Sequence, residues 1–229
     1  MQPESEAVAS RLVRTVSPSA ARWTTAIGGI GFVSFFVIGA TLYGNGAGRY
    51  SQEIVAYYSQ QANRLAQIEG FATLTAGLVL LVAFVSGLRS IATNSEPWSS
   101  LMFGTGMATV VCLVIANTLW ASSAFTTVIE RGYVIDPRSH LLLEDSGFTF
   151  LVAAGAMGAA FVAATSLGGV RDGLLPTWLA WLGLPVAVAL LAVYWYLPLF
   201  VFLVWIVLVS IVSLRSGAPV ADVNLAGER

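Results

Sequence analysis

The stretch GLLPTWLAWLGLPVAVALLAVYWYLPLFVFLVWIVLVSIVSL, residues 173–214, contains no Asp, Glu, Lys or Arg. About 20 apolar residues in a helix cross the hydrocarbon core of a bilayer, which is about 30 Å thick. As one helix, residues 177–214 would run about 57 Å at a rise of 1.5 Å per residue, far beyond that depth. Two crossings therefore fit the stretch better than one. Pro198 in WYLPLF supplies the expected break, because proline lacks the amide proton that a continuing helix needs.

Outward from this stretch, further apolar runs fall at 25–43, 71–89, 101–124 and 147–169. With 177–195 and 198–214 they make six. Of the 229 residues, 57% are hydrophobic and 10% charged. A soluble domain carries about 25% charged residues, so lipid is the main solvent of this chain. The expected fold class is all-α, a polytopic membrane bundle of six transmembrane helices with short amphipathic helices in the two long outer loops. Residues 1–24 read as a mobile N-terminal tail and 215–229 as a C-terminal tail. The first run is long for a secretory signal, and Ile38 in Ile38-Gly39-Ala40 suits the cleavage motif poorly, so an uncleaved first helix is expected.

Six crossings put both termini on one side. That side holds Arg11, Arg14, Arg22, Arg89, Arg171, Arg215 and Arg229; the other holds Arg49, Arg64, Arg131 and Arg138. Basic residues near helix ends mark the cytoplasmic side, so both termini are predicted cytoplasmic and the location a bacterial plasma membrane. Trp23, Trp98, Trp178 and Trp181 fall near the inner boundary; Trp120, Tyr194, Trp195 and Tyr196 fall near the outer one. Trp205, inside the last helix, is the exception. The halves 25–124 and 147–214 share no residue pattern that would mark an inverted repeat.

The first outer loop reads GNGAGRYSQEIVAYYSQQANRLAQIEG, residues 44–70. Its alternating glycines suggest a phosphate cradle, but such a cradle follows a strand and, in the P-loop form, includes a lysine. The chain contains no lysine, and a flexible helix exit is the plainer reading. Ser51 is placed as an N-cap with Glu53 in the first turn. Ile54, Tyr58, Ala62, Leu65 and Ile68 recur at helical spacing, predicting an amphipathic helix of about 18 residues that packs on protein. In the second outer loop, about 125–146, Asp136-Pro137 reads as N-cap and first helical residue. That helix runs through Ser139, His140 and Leu141–Leu143 into the fourth crossing.

Glu69, His140, Glu144 and Asp145 form the ionisable group best placed to line an outward vestibule, binding a cation or relaying protons. The simpler reading is solvated charges at helix ends, paired with Arg64 or Arg131. It is favoured because a charge is costly at the bilayer centre and none of these lies there. Asn117 in ANTLW is the most polar residue within a crossing; it can join helices by hydrogen bonds or contact a ligand. Gly183 and Pro185 fall inside the fifth crossing, where the proline should kink the helix, as in some transport sites. In FLVAAGAMGAAFVAATS, small residues recur at spacing four: Gly155, Ala159 and Ala163, with Ala154 and Gly158. Such a face allows close packing inside the bundle, the favoured reading, or between two copies.

Several classes of chemistry find no support. One cysteine, Cys112, permits no intrachain disulfide, and one histidine, His140, does not make a His-based metal or haem site. No cofactor is implied. There is no GxSxG or HExxH motif, and a Ser–His pair would need His140, for which the sequence identifies no partner. A net charge of −1 offers nothing to nucleic acid.

The EIVAYYSQQANRL segment and the late LLPTWLAWLGLPVAVALL hairpin ending FLVWIVLVSIVSLR resemble features of uncharacterised multi-pass membrane proteins of actinobacteria. The resemblance spans most of residues 25–215, implies six helices, and carries over no catalytic residue. The resulting expectation is a non-enzymatic accessory or interaction subunit. Its partners would be membrane lipids and a second copy or another membrane protein. The alternative is a small transporter or channel for an apolar or weakly charged solute.

Overall fold

The computed structural model describes residues 17–44, 46–92, 96–130, 132–173 and 175–215. Of the tails expected at 1–24 and 215–229, residues 1–16 and 216–229 lie outside them, and Pro18–Thr24 are helical instead, because Ser17 and Pro18 start the first helix early. The described residues form seven α-helices: α1 (Pro18–Tyr43), α2 (Ser51–Ser59), α3 (Gln61–Ile91), α4 (Glu96–Ile129), α5 (Pro137–Asp172), α6 (Thr177–Leu190) and α7 (Leu197–Arg215). A 3₁₀ turn, Val193–Trp195, lies between the last two. Five of them, α1, α3, α4, α5 and α7, are long and apolar enough to cross a membrane. The chain is a multi-pass helical membrane protein.

The expected count of six spans is not confirmed. The fifth apolar run, 177–195, is helical only over the 14 residues of α6. The break also lies elsewhere than expected. Pro198 sits in the first turn of α7, where a missing amide proton costs no helical bond. The chain turns instead at Leu191–Tyr196, and Tyr196 takes the left-handed conformation with φ 58°. Phe148 of α5 packs edge-on against Tyr194 at 5.4 Å and obliquely against Tyr196 at 5.8 Å, holding the turn.

Apart from α2, the helices neighbour one another in chain order, and the ring closes where α7 meets α1. Phe84 of α3, Phe161 of α5 and Trp205 of α7 fill the centre. Their rings are stacked edge to face at 6.4 and 6.1 Å. The most extensive pairing is α1 with α3. It is close because glycine permits it. A Cβ added at Gly28 would stand 2.8 Å from the Leu80 carbonyl oxygen and 2.5 Å from the Phe84 amide nitrogen. Small residues of this kind let membrane helices meet backbone to backbone.

α5, with 36 residues, is about 54 Å long at 1.5 Å per residue, so it outruns a bilayer core of about 30 Å. The long helices thus carry a second layer at one end, where α2 lies. There Ile54 and Tyr58 of α2 pack with Ala47, Ala124 and Ile135 in a small core of their own. Packing of this segment on protein matches the expectation, but its length does not. The predicted single helix breaks at Gln60, whose backbone is extended (φ −86°, ψ 119°). Side chains compete with the helix there. The Ser59 hydroxyl donates to the Ala56 carbonyl at 2.7 Å, and the Asn63 amide donates to the Tyr57 carbonyl at 3.1 Å. The break resets the helical phase, so Ala62 and Leu65 are exposed. The cap also shifts by one residue. Tyr50, not Ser51, is the N-cap, and the Glu53 carboxylate accepts from its amide at 3.4 Å.

Candidate functional site

Buried polar side chains gather at the α2 end of the bundle in two tiers. The deeper tier is centred on Asn117 of α4. Its amide donates to the Phe71 carbonyl at 3.2 Å and the Thr75 hydroxyl at 3.1 Å, both on α3. Its carbonyl accepts from the Tyr43 hydroxyl of α1 at 2.8 Å. Two donors and the acceptor are thus all used, joining three helices.

The upper tier is built around His140. Asp136 starts α5 as expected: its carboxylate accepts from the amides of Arg138 at 3.3 Å and Ser139 at 3.1 Å, and from the Ser139 hydroxyl at 2.7 Å. These bonds to the charged form, the Ser139 hydroxyl foremost, hold the Asp136 carboxyl below its ordinary value. The cap fixes where the first turn of α5 points, and His140 falls on its inner face, 6% exposed. Its Nδ1 is 3.0 Å from the Ser123 hydroxyl of α4, which is equally buried. The ring meets Tyr58 of α2 edge on, at 5.2 Å between centroids.

The Tyr58 hydroxyl donates to the Gln67 side-chain carbonyl of α3 at 2.9 Å. Burial pushes the Tyr58 phenol up to about 12, against the lowering effect of hydrogen bonds to Gln67 and Ser123. The Tyr57 phenol is raised too, first by burial. The Tyr196 phenol is raised by burial and then by the Glu144 charge.

Glu144 lies one turn beyond His140. Its Oε2 is 3.8 Å from His140 Nε2, too long for a hydrogen bond. Its backbone carbonyl accepts from the Trp120 indole at 3.2 Å. Asp145 pairs with Arg49 at 2.9 Å, not with Arg64 as the sequence had suggested. Arg64 instead donates to the Thr127 carbonyl at 3.1 Å. Arg131 lies outside the described residues. Glu69 is exposed, and among the described residues its carboxylate makes no hydrogen bond or ion pair. Pro185 lies in α6, a helix without ionisable residues, apart from the cluster.

The small residues of α5 face their own bundle. A Cβ at Gly155 would stand 2.8 Å from the Leu190 carbonyl oxygen, and one at Gly158 would meet the Leu190 side chain at 3.6 Å and Thr109 at 3.8 Å. Ala159 is buried.

Searched against known families, curated proteins and solved structures, the chain matches none. What the cluster can do must be read from its geometry.

Ser123, His140 and Glu144 are the residue types of a nucleophile, a base and an orienting acid. The geometry differs from such a set. Ser123 is buried among α2, α4 and α5, and the carboxylate stands beyond hydrogen-bond reach of the ring. Among the described residues no group of three or more His, Cys, Asp or Glu is placed to hold a metal ion. The arrangement does join helices: four helices converge on it, with Ala47 and Arg49 packed or paired beside it. Ser123 and Tyr58 were missed from the sequence as partners of His140, and Gln67 as the partner of Tyr58. Gln67 left a signal, for it shares the helical spacing of the buried Gly70, Leu74 and Leu78.

Proposed function

We propose that this protein is a non-enzymatic accessory or interaction subunit of a membrane, crossing it six times with both termini cytoplasmic. The observation that carries the reading is the filled centre of the ring. Phe84, Phe161 and Trp205 are each no more than 1% exposed, which leaves no room for a solute path along the axis. At the α2 end His140, Arg64 and the Arg49–Asp145 pair serve as joints between elements. A sixth crossing is supported by the place of α6, which sits between α5 and α7 in the ring. Its 14 residues span about 21 Å at 1.5 Å per residue, and the 3₁₀ turn extends this by about 6 Å. The α2 end then faces outward.

Flux measured in proteoliposomes tests the reading. Na⁺, protons and a labelled weak acid should cross no faster than in protein-free vesicles. Flux above that level, abolished by Glu144→Gln, would overturn it in favour of transport. Orientation is tested by a membrane-impermeant thiol reagent on Ser59→Cys and Ser216→Cys in a Cys112→Ser background. Labelling from outside at 59 alone is expected; labelling at 216 alone would reverse the topology.

A further inference from the structure

At the end of the bundle opposite α2, a narrow crevice runs between the ends of four helices. Its walls include Leu88 of α3, Trp98 and Met102 of α4, Thr165 and Gly168 of α5, and Ser213 of α7. The two hydroxyls of α5 and α7 offer little to a polar ligand. Thr165 donates to the Phe161 carbonyl at 2.7 Å and Ser213 to the Val209 carbonyl at 2.8 Å, each within its own helix. Apart from Ser99 of α4, what remains is apolar wall, suited to a hydrocarbon chain.

The charges around the crevice point to the other half of the occupant. Arg89, Arg171 and Arg215 stand in the last turns of α3, α5 and α7. Arg89 adjoins Leu88, Arg171 lies one turn past Gly168 on the same helix face, and Arg215 is the last residue of α7. Arg171 and Arg215 are exposed. Arg89 is held over the Phe103 ring of α4, with its guanidinium carbon 4.5 Å from the centroid. Among the described residues no carboxylate pairs with any of the three. The acids nearest in sequence, Glu96 and Asp172, leave the group at 3 − 2 = +1. Basic groups at the helix ends near an apolar cleft match the two halves of an anionic lipid.

We propose that this crevice is a binding site for an anionic glycerophospholipid. One acyl chain lies against Leu88, Met102 and Gly168, and the headgroup phosphate is held by Arg171 and Arg215 with Arg89 beside it. The lipid would bridge α3, α4, α5 and α7 at the end of the bundle away from the Asn117 and His140 tiers.

Native mass spectrometry of the full chain, released from detergent after titration with dioleoyl phosphatidylglycerol or dioleoyl phosphatidylcholine, tests this. A single phosphatidylglycerol adduct should form about tenfold more readily than a phosphatidylcholine adduct. The double variant Arg171→Gln/Arg215→Gln should weaken it roughly 30-fold, at about fivefold for each basic group. Gly168→Leu should also weaken it by filling the crevice; a Cβ there would already meet the Trp98 Cβ at 3.4 Å. The arginines are exposed, so the double variant remains a test even if Gly168→Leu fails to fold. Equal binding of the two lipids, or an unchanged adduct in the double variant, would overturn the proposal. So would displacement of the lipid by inorganic phosphate, which would show a phosphate site without a chain.

Discussion

Two sets of buried polar groups are treated in opposite ways. At Asn117, two donors and one acceptor meet partners on α1 and α3. In the wall between α5, α6 and α7, the Ser166 hydroxyl and the Trp205 indole N–H, both 1% exposed, make no hydrogen bond among the described residues. They lie against Gly183, where the chain has no side chain to interpose. The difference separates two uses of polarity in lipid. Asn117 is placed to specify which helices meet and in what register. Ser166 and Trp205 are there by size: the small side chain allows the approach of α6, and the large one fills the ring.

The sharpest way to break this contrast is Asn117→Leu. The substitution keeps the branched shape but leaves the Tyr43 hydroxyl without its side-chain partner in a water-poor setting, while the Phe71 carbonyl keeps the Thr75 hydroxyl. A loss of about 1 to 2 kcal/mol is expected, within the range measured for interhelical polar bonds in membranes. Thermal unfolding in detergent, followed by tryptophan fluorescence, reads it. An unchanged midpoint would mean that the Asn117 bonds do not hold the helices together.

Tyr58→Phe probes the upper tier of the same end. It removes one hydroxyl and strands the buried Gln67 carbonyl, so about 1 kcal/mol should be lost at neutral pH. At alkaline pH the difference shrinks. The Tyr58 phenol is raised from 10.0 to about 12 in the folded chain. A raised phenol makes folding hold its proton more tightly than the unfolded chain does, so stability is lost as pH rises from 10 toward 12. The Phe variant should lose less over that window, narrowing its gap from the parent. Tyr57 and Tyr196, also raised, keep part of the slope.

Asp136→Ala acts a step further out, on the turn that aims His140. The Asp136 carboxyl is held below its ordinary 3.8. A lowered carboxyl contributes stability above its ordinary value and loses it as pH falls through the folded value. The alanine variant should therefore be less stable at neutral pH than the parent, by less than Tyr58→Phe. It should also lack the parent's decline below pH 3.8 that this group causes. Titration of the unfolding midpoint from pH 6 to 3 measures both.

The legibility of these features in the sequence followed their periodicity. Five spans and the Asp136-Pro137 start were readable because apolar length and cap chemistry are local properties. Asn117 stood out as the most polar residue in a crossing, since lipid makes such a residue conspicuous. The His140 tier was half legible. The ionisable residues were visible, but Ser123 becomes a partner of His140 only through the packing of α4 on α5, and Tyr58 only through that of α2 on α5. The break at Gln60 was hidden because it depends on Asn63 reaching back to the Tyr57 carbonyl. The α6 break was misplaced onto Pro198 because proline is informative only relative to where a helix begins. The chain instead turns two residues earlier, at Tyr196, which carries no sequence mark of a left-handed backbone.

The smallest expected effect is also the one that most sharpens the contrast. Ser166→Ala removes a buried hydroxyl that has no hydrogen bond among the described residues, so no partner is stranded. The usual cost of deleting a polar group comes from the group left behind, and here there is none. The change should alter stability by no more than about 0.5 kcal/mol, and a gain is as consistent as a loss, because an unpaired hydroxyl is itself unfavourable in an apolar wall. The volume removed is small, and Gly183 faces the same spot, so closure of the gap by α6 needs only a slight shift. A loss as large as that of Asn117→Leu, in the same detergent and by the same fluorescence readout, would show that Ser166 does join helices, and the two kinds of buried polar group would collapse into one.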